Sequence, residues 1–179
     1  NRSILDLLTA DYTFVDERLA HHYGIPNVYG SRFRRVTLPP ELDARRGLLG
    51  KGGILMATSH ADRTAPSLRG KWLLVNLLGT PPPAPPANVP PLPAEPGAAP
   101  KTMRERLDVH RANPACADCH TRIDPLGFAL ENFDAVGAWR DFDAGGAVDA
   151  SGRLPDGAAL AGGGDLRAAL VANPRAFAS

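Results

Sequence analysis

Asn113-Pro114-Ala115-Cys116-Ala117-Asp118-Cys119-His120-Thr121-Arg122-Ile123-Asp124-Pro125 is the stretch on which the reading of this chain turns. Asparagine followed by proline is a helix start: Asn113 suits the N-cap, and Pro114 suits the first helical position, where its missing N–H costs nothing. On a helix, positions i, i+3 and i+4 share one face, so Cys116, Cys119 and His120 point the same way. Two thiols and an imidazole in that order form the attachment pattern of a c-type haem. Each S–H can add across one haem vinyl group while the neighbouring imidazole ligates iron. Both cysteines of the 179-residue chain are spent in this motif. The turn is expected to end before Asp124-Pro125, because a residue preceding proline avoids the helical region.

Two other chemistries use the same residues. A Cys-x-x-Cys can be a redox dithiol or a disulfide, although no βαβ pattern of a thioredoxin-like setting surrounds it. It can also be half of a zinc site, which needs about four ligands; Cys116, Cys119 and His120 would then borrow one, such as His110.

A haem iron also has a second axial position, often filled by a methionine downstream of the attachment motif. Residues 121–179 contain no Met, His, Lys, Tyr or Cys. Any such ligand within the chain therefore lies upstream, with Met56, His60, Met103 and His110 as candidates. Met103 and His110 rank first because they share the segment leading into the haem helix. Each has a plainer reading: core filler for Met56, a cover for the haem edge for Met103, a hydrogen-bonding group near Asn113-Pro114 for His110, a solvated loop for His60. Of the adjacent His21 and His22, at most one can join any single site.

Net charge is +1, which gives no electrostatic case for nucleic acid or an anionic membrane. No apolar run approaches membrane-spanning length; the best, residues 72–78, is short and contains Asn76. Haem attachment implies export, so a signal segment is expected upstream, and the chain reads as a fragment at both ends. The carboxylates Asp141, Asp143, Asp149 and Asp156 lack the loop pattern of a calcium site and read as solvated turns.

Organisation is dominated by the proline-rich residues 80–100, which suit polyproline II rather than helix or central strand. They read as a spacer strapped along the surface, with Val89 and Leu92 to bury, or as a docking site for a proline-recognition module. Residues 1–79 read as one helical domain. Ser3 caps a first helix; Thr13 and Asp16 open a second that ends near Tyr23 at Gly24, with Phe14, Leu19 and Tyr23 on its apolar face. Residues 32–38 suit a short strand or an extended loop, and the glycine-rich residues 46–58 only a weak helix. A helix over 66–78 should bury Leu68, Trp72 and Val75. Residues 101–179 read as a haem domain truncated at its end. A capping box at Thr102 and Glu105 opens a helix to about Ala112, and the haem helix follows. A further helix from Asp124-Pro125 should bury Leu126, Leu130 and Phe133 and stop at Gly137. A short β-hairpin near 148–154, a helix capped by Asp165 and another helix start at 173–177 close the chain. The expected fold class is mainly α: small helical domains around a covalent haem c, joined by an extended linker.

Several long stretches carry a resemblance. They are Leu7-Leu8-Thr9-Ala10-Asp11-Tyr12-Thr13-Phe14-Val15, Arg45-Arg46-Gly47-Leu48-Leu49, Arg63-Thr64-Ala65-Pro66, Arg69-Gly70-Lys71-Trp72, and Leu77-Leu78-Gly79-Thr80-Pro81-Pro82-Pro83. Beyond the linker come His110-Arg111, the Cys116–His120 motif and Asp124-Pro125-Leu126-Gly127-Phe128-Ala129-Leu130-Glu131-Asn132-Phe133-Asp134. Together they resemble the planctomycete-type secreted cytochrome c family, large multidomain proteins whose domains are mostly of unknown function. The resemblance implies covalent haem and a periplasmic or extracellular setting, and no particular reaction. One departure is Ala65, where the family usually has serine; losing that helix cap costs on the order of 1 kcal/mol. Three classes of function follow. They are electron transfer with a redox partner protein or further domains of the same polypeptide, a peroxidase-like haem enzyme with an open distal position, and a non-haem metal or structural module.

Overall fold

Helix α4 (Pro66–Asn76) and helix α6 (Pro114–Phe128) cross so closely that each presents a glycine to the other's backbone. The computed structural model describes residues 3–85, 101–174 and 177; the linker residues 86–100, including Val89 and Leu92, and part of the helix start expected at 173–177 lie outside the described residues. A Cβ on Gly70 would lie 2.0 Å from the Ile123 carbonyl oxygen, and one on Gly127 would lie 1.9 Å from that of Pro66. The pairing of 70 with 123 and of 66 with 127 makes the helices antiparallel. Because it joins residues before and after the proline-rich segment, Leu8, Leu55 and Leu73 share one core cluster with Leu126, Phe133 and Leu166.

The α4 stripe differs from the expectation. Leu68 and Val75 are exposed and Trp72 only edges the core, whereas Arg69, Gly70, Leu73 and Leu74 are buried. An apolar stripe read from sequence overlooks a contact made by a glycine and a buried arginine. Ala65 is the N-cap of α4 and offers no side-chain cap bond.

Helix α6 also departs from expectation, running through Asp124 and Pro125 instead of stopping before them. Interior proline forfeits a hydrogen bond and costs about 3 kcal/mol. Here residues 123–128 are all buried, and that packing outweighs the local penalty. Leu126, Leu130 and Phe133 are buried as expected, but Leu130 lies in a turn and Phe133 in a β-bridge with Trp139 beyond the helix end, so no separate helix starts at Asp124. Asn113 accepts from the Ala115 N–H at 3.0 Å, as an N-cap should.

Upstream, helix α1 (Asp6–Thr9) leads into strand β1 (Tyr12–Val15), which pairs antiparallel with β2 (Arg34–Thr37). Thr13 therefore belongs to a strand, and Phe14 points to solvent. Its neighbours are β-branched and aromatic, which favours extended chain over the helix anticipated there. Asp16 alone caps α2 (Glu17–Tyr23), accepting from the Leu19 N–H at 2.9 Å, and Gly24 ends it with φ +72°. A 3₁₀ helix (Pro40–Arg45) and α3 (Gly52–Ala57) follow. Arg45, 1 % exposed, lies between the Tyr23 and Phe133 rings at 4.6 and 4.7 Å and links the main core to a second one around Val15 and Tyr23.

After the linker, Thr102 and Glu105 form the expected capping box of α5 (Met103–Arg111). Beyond α6 come two hairpins, β3 (Phe142–Asp143) with β4 (Gly146–Ala147) and β5 (Gly152–Arg153) with β6 (Ala159–Leu160), and then α7 (Gly163–Ala172). With three two-stranded sheets among the described residues, the fold is helix-rich but mixed rather than plainly mainly α. Strands of two residues are too short for periodicity to reveal. No described helix is long and apolar enough to cross a membrane.

The crossing is testable. Gly70→Ala should destabilise by about 1–3 kcal/mol or more, through forced backbone movement. Gly53→Ala, with open space around it, should be neutral or stabilise by up to about 1 kcal/mol. Urea titration of both variants reads the difference, and equal midpoints would contradict close packing. A second test concerns Lys51, whose Nζ donates to the Arg45 carbonyl at 2.7 Å. Burial, and then the Arg45 charge, push its pKa from 10.5 to about 8. Between those values the unfolded chain holds the proton and the native one releases it, so stability should rise with pH across that window. Lys51→Met should flatten the rise in urea midpoints measured at several pH values.

Candidate functional site

The two halves of α6 have opposite surroundings. Residues 123–128 are buried, while Pro114, Ala115, Asp118, Thr121 and Arg122 are exposed. Cys116, Cys119 and His120 stand on the exposed half, each partly buried, and both cysteines are free thiols. Cys119 also packs against the main core cluster. The helical spacing deduced from the motif is therefore present, on the less buried half of the helix.

His120 is held from behind. Its Nδ1 lies 2.9 and 3.0 Å from the two carboxylate oxygens of Asp124, one turn further along α6. Asp124 is fully buried, and its Oδ1 also accepts from the Ser67 hydroxyl of α4 at 2.8 Å. An ionised carboxylate only accepts, so Nδ1 carries the hydrogen and Nε2 is the ring nitrogen left for a ligand. Arg111 Nε adds positive charge 3.9 Å from Asp124.

Helix α5 supplies the other wall. Met103 and Leu107 bury against Phe128, and Arg104 covers the face of that ring at 3.9 Å. One turn beyond Leu107, the ring of His110 meets that of His120 at 4.9 Å, tilted by 70°. Burial lowers the His110 pKa; the neighbouring His120 lowers it further, and Asp124 opposes both.

Of the four upstream ligand candidates, the structure brings only His110 to His120. Its ring contact leaves no gap for a flat macrocycle between the two imidazoles. Met103 lies about 10 Å along α5 from His110, at 1.5 Å per residue. Met56 is 59 % exposed on α3, and His60 is exposed in the irregular chain after it, its N–H bonded to the Arg63 carbonyl. His21 is exposed, and His22 Nε2 lies 2.9 Å from the Val136 carbonyl.

Among the described residues, no three His, Cys, Asp or Glu side chains gather in a metal-holding group. The acidic residues weighed for calcium are engaged one by one: Asp141 with the Trp139 N–H, Asp143 with Arg140 and the Met103 N–H, Asp149 with Arg104, and Asp156 with the Ala158 N–H. The donor set at α6 fits a group that brings its own equatorial donors and needs two thiols and one imidazole from protein.

Sequence reading missed Asp124 and Ser67 as site residues. Asp124 was legible, since i+4 from His120 puts it on the same face; its place before proline drew attention to helix breaking instead. Ser67 reaches the site only through the helix crossing and left no local signal. Also missed was a buried ion network behind the site. Arg69 donates to the carbonyls of Leu130, Phe133 and Asp134 at 2.7–2.8 Å and lies 3.3 Å from Glu131. Glu131 further accepts from Thr64 and Arg140, each at 2.9 Å. Burial raises the Glu131 pKa and lowers that of Arg69 to about 10.

The site thus belongs to a helix-rich chain that offers Cys-x-x-Cys-His on the exposed half of an otherwise buried helix. Residues 45–143, more than half of the chain, match the family model PSCyt3, described as protein of unknown function (DUF1588), and the chain belongs to that family. Residues 1–25 match a second model, PSD4, also a protein of unknown function (DUF1592). No curated protein and no solved structure matches the chain.

The network makes a sharp expectation. Glu131→Ala leaves Arg69 buried without its carboxylate, while the partly exposed Arg140 keeps Asp143, and should cost about 3–5 kcal/mol. Glu131→Gln, which keeps an acceptor for Thr64, should cost less. Thermal unfolding of the two variants checks the order, and a Glu131→Ala protein that melts unchanged would remove the network from the stability argument.

Proposed function

We propose that this chain is a c-type cytochrome module that holds one haem through thioethers at Cys116 and Cys119, with His120 Nε2 as an axial ligand. It would serve electron transfer within a larger secreted redox protein of the periplasm or the extracellular space, exchanging electrons with further domains of that polypeptide or with a partner protein. The observation that carries this reading is the orientation of His120: its Nδ1 is committed to Asp124, which frees Nε2 on the face that also carries both thiols.

Haem, when bound, supplies a one-electron iron couple. The chain's own residues do the rest. Cys116 and Cys119 are accessible enough to add their S–H bonds across vinyl groups, with the hydrogens passing to the vinyl carbons and no oxidant consumed. Asp124 and Ser67 hold the imidazole from the buried side. Arg104 and Phe128 close the wall between α5 and α6 at its far end.

A second reading is supported by the α5 wall. Met103 is enclosed with Leu107 and Phe128, and His110 is packed against the ring of His120 itself. A haem enzyme with an open distal position is consistent with that packing. Ferric spectra separate the two: a low-spin spectrum favours electron transfer, and a high-spin one favours the enzyme.

The covalent assignment is tested on protein matured by export. Acid–acetone extraction should leave the haem on the polypeptide, and the pyridine haemochrome should carry the signature of two thioethers. Cys116→Ala should shift that signature to a single thioether. Haem that extracts freely would sink the assignment.

A further inference from the structure

We infer that Asp124 is a positioning residue that fixes His120 in its Nδ1–H form and, through that hydrogen bond, makes the imidazole an unusually strong electron donor to iron. The inference rests on the haem reading and deepens it, by assigning the control of the iron couple to one buried carboxylate.

Three features of the site carry it. The first is geometry: both oxygens of Asp124 lie within 3.0 Å of Nδ1, so the ring is held by a full carboxylate and not by a weaker backbone carbonyl. The second is burial, since Asp124 has no exposed surface and water does not dilute its field. The third is support: the Ser67 hydroxyl fixes Oδ1 from α4, so the carboxylate keeps its aim. A carboxylate that accepts from the outer nitrogen of a ligating histidine orients the ring and raises its basicity. A more basic axial nitrogen favours ferric over ferrous iron, which lowers the reduction potential. The positive charge of Arg111 at 3.9 Å opposes this only weakly across its longer distance and partial exposure.

The test has two arms. In the haem-free chain, imidazole nitrogen NMR at alkaline pH should show His120 as the Nδ1–H tautomer. Asp124→Ala should reverse it to the Nε2–H form that free imidazole side chains prefer, and Ser67→Ala should leave a mixture. In the matured protein, Asp124→Asn keeps an acceptor for Nδ1–H but removes the charge. The haem should stay attached while the reduction potential rises by a tenfold or greater change in the ferric-to-ferrous preference, which is about 59 mV for a one-electron couple. The iron–histidine stretch of the ferrous protein should fall in frequency in the same variant. An Nε2–H tautomer in the unsubstituted chain, or an unchanged potential and stretch in Asp124→Asn, overturns the inference while leaving the haem reading intact. A matured protein with no thioether-linked haem overturns the haem reading and the redox half of this one, and the NMR arm then still decides whether Asp124 positions His120.

Discussion

Everything near the site depends on how closely α4 approaches α6. With glycine at 70 and at 127, the two backbones touch, and no side chain larger than hydrogen fits at either point without displacing the other helix. That contact sets the depth at which neighbouring side chains enter the opposite helix. Ser67 lies three residues before Gly70, and Asp124 three before Gly127, and their oxygens meet at 2.8 Å. Arg69, next to Gly70, is carried past α6 to the turns beyond it, where it finds three carbonyls. A wider crossing would part Ser67 from Asp124 and leave His120 tethered from its own helix alone.

The buried arginines explain how so many turns can surround this core. Residues 129–140 form turns and one isolated bridge, Phe133 with Trp139, so only some of their carbonyls have backbone partners. Buried carbonyls without partners are costly. Arg69 and Arg45 supply donors from within, Arg45 to the Gly137 carbonyl at 2.6 Å, and Glu131 offsets part of the charge. The arrangement leaves some donors unsatisfied. Among the described residues, Arg69 Nε and one terminal guanidinium nitrogen of Arg45 have no hydrogen-bond partner, and desolvation by burial lowers both arginine pKa values. A network of this kind adds little net stability over an apolar core, but it penalises any packing in which its members separate. It thereby fixes one arrangement of the segment behind the site.

Much of this was legible in the sequence, and most of the failures share a cause. Much local chemistry was read well: the Asn113 and Thr102 caps, the stop at Gly24 and the helical face of Cys116, Cys119 and His120 follow from short-range rules, although Leu5 and Gly162, not Ser3 and Asp165, hold the N-cap positions of α1 and α7 and no helix reaches Gly137. What local rules missed were the places where tertiary contact reverses a preference. Pro125 should have ended a helix and did not, because the residues around it are buried against α4. Leu68 and Val75 should have faced the core, yet a glycine and an arginine took that face. Thr13 satisfied a capping pattern but lies in a strand, because residues 34–37 pair with it. The proline-rich segment marked a boundary by composition, and composition cannot say which faces meet across it.

The continuous helix through Pro125 is also what gives the site its character. Had α6 ended before Asp124, that residue would have sat in a loop, free to turn toward water. Because the helix continues, Asp124 keeps the i+4 relation to His120 and remains buried beneath it. One end of α6 is then rigid and closed while the other is open. Under the proposed haem reading the two thiols would meet the ligand at the open end, while the closed end holds the imidazole. His120 lies where the two meet, partly buried and held by Asp124. A proline that costs the helix a hydrogen bond thus stands at the point where burial begins, and it is the burial, not the backbone preference, that decides the structure there.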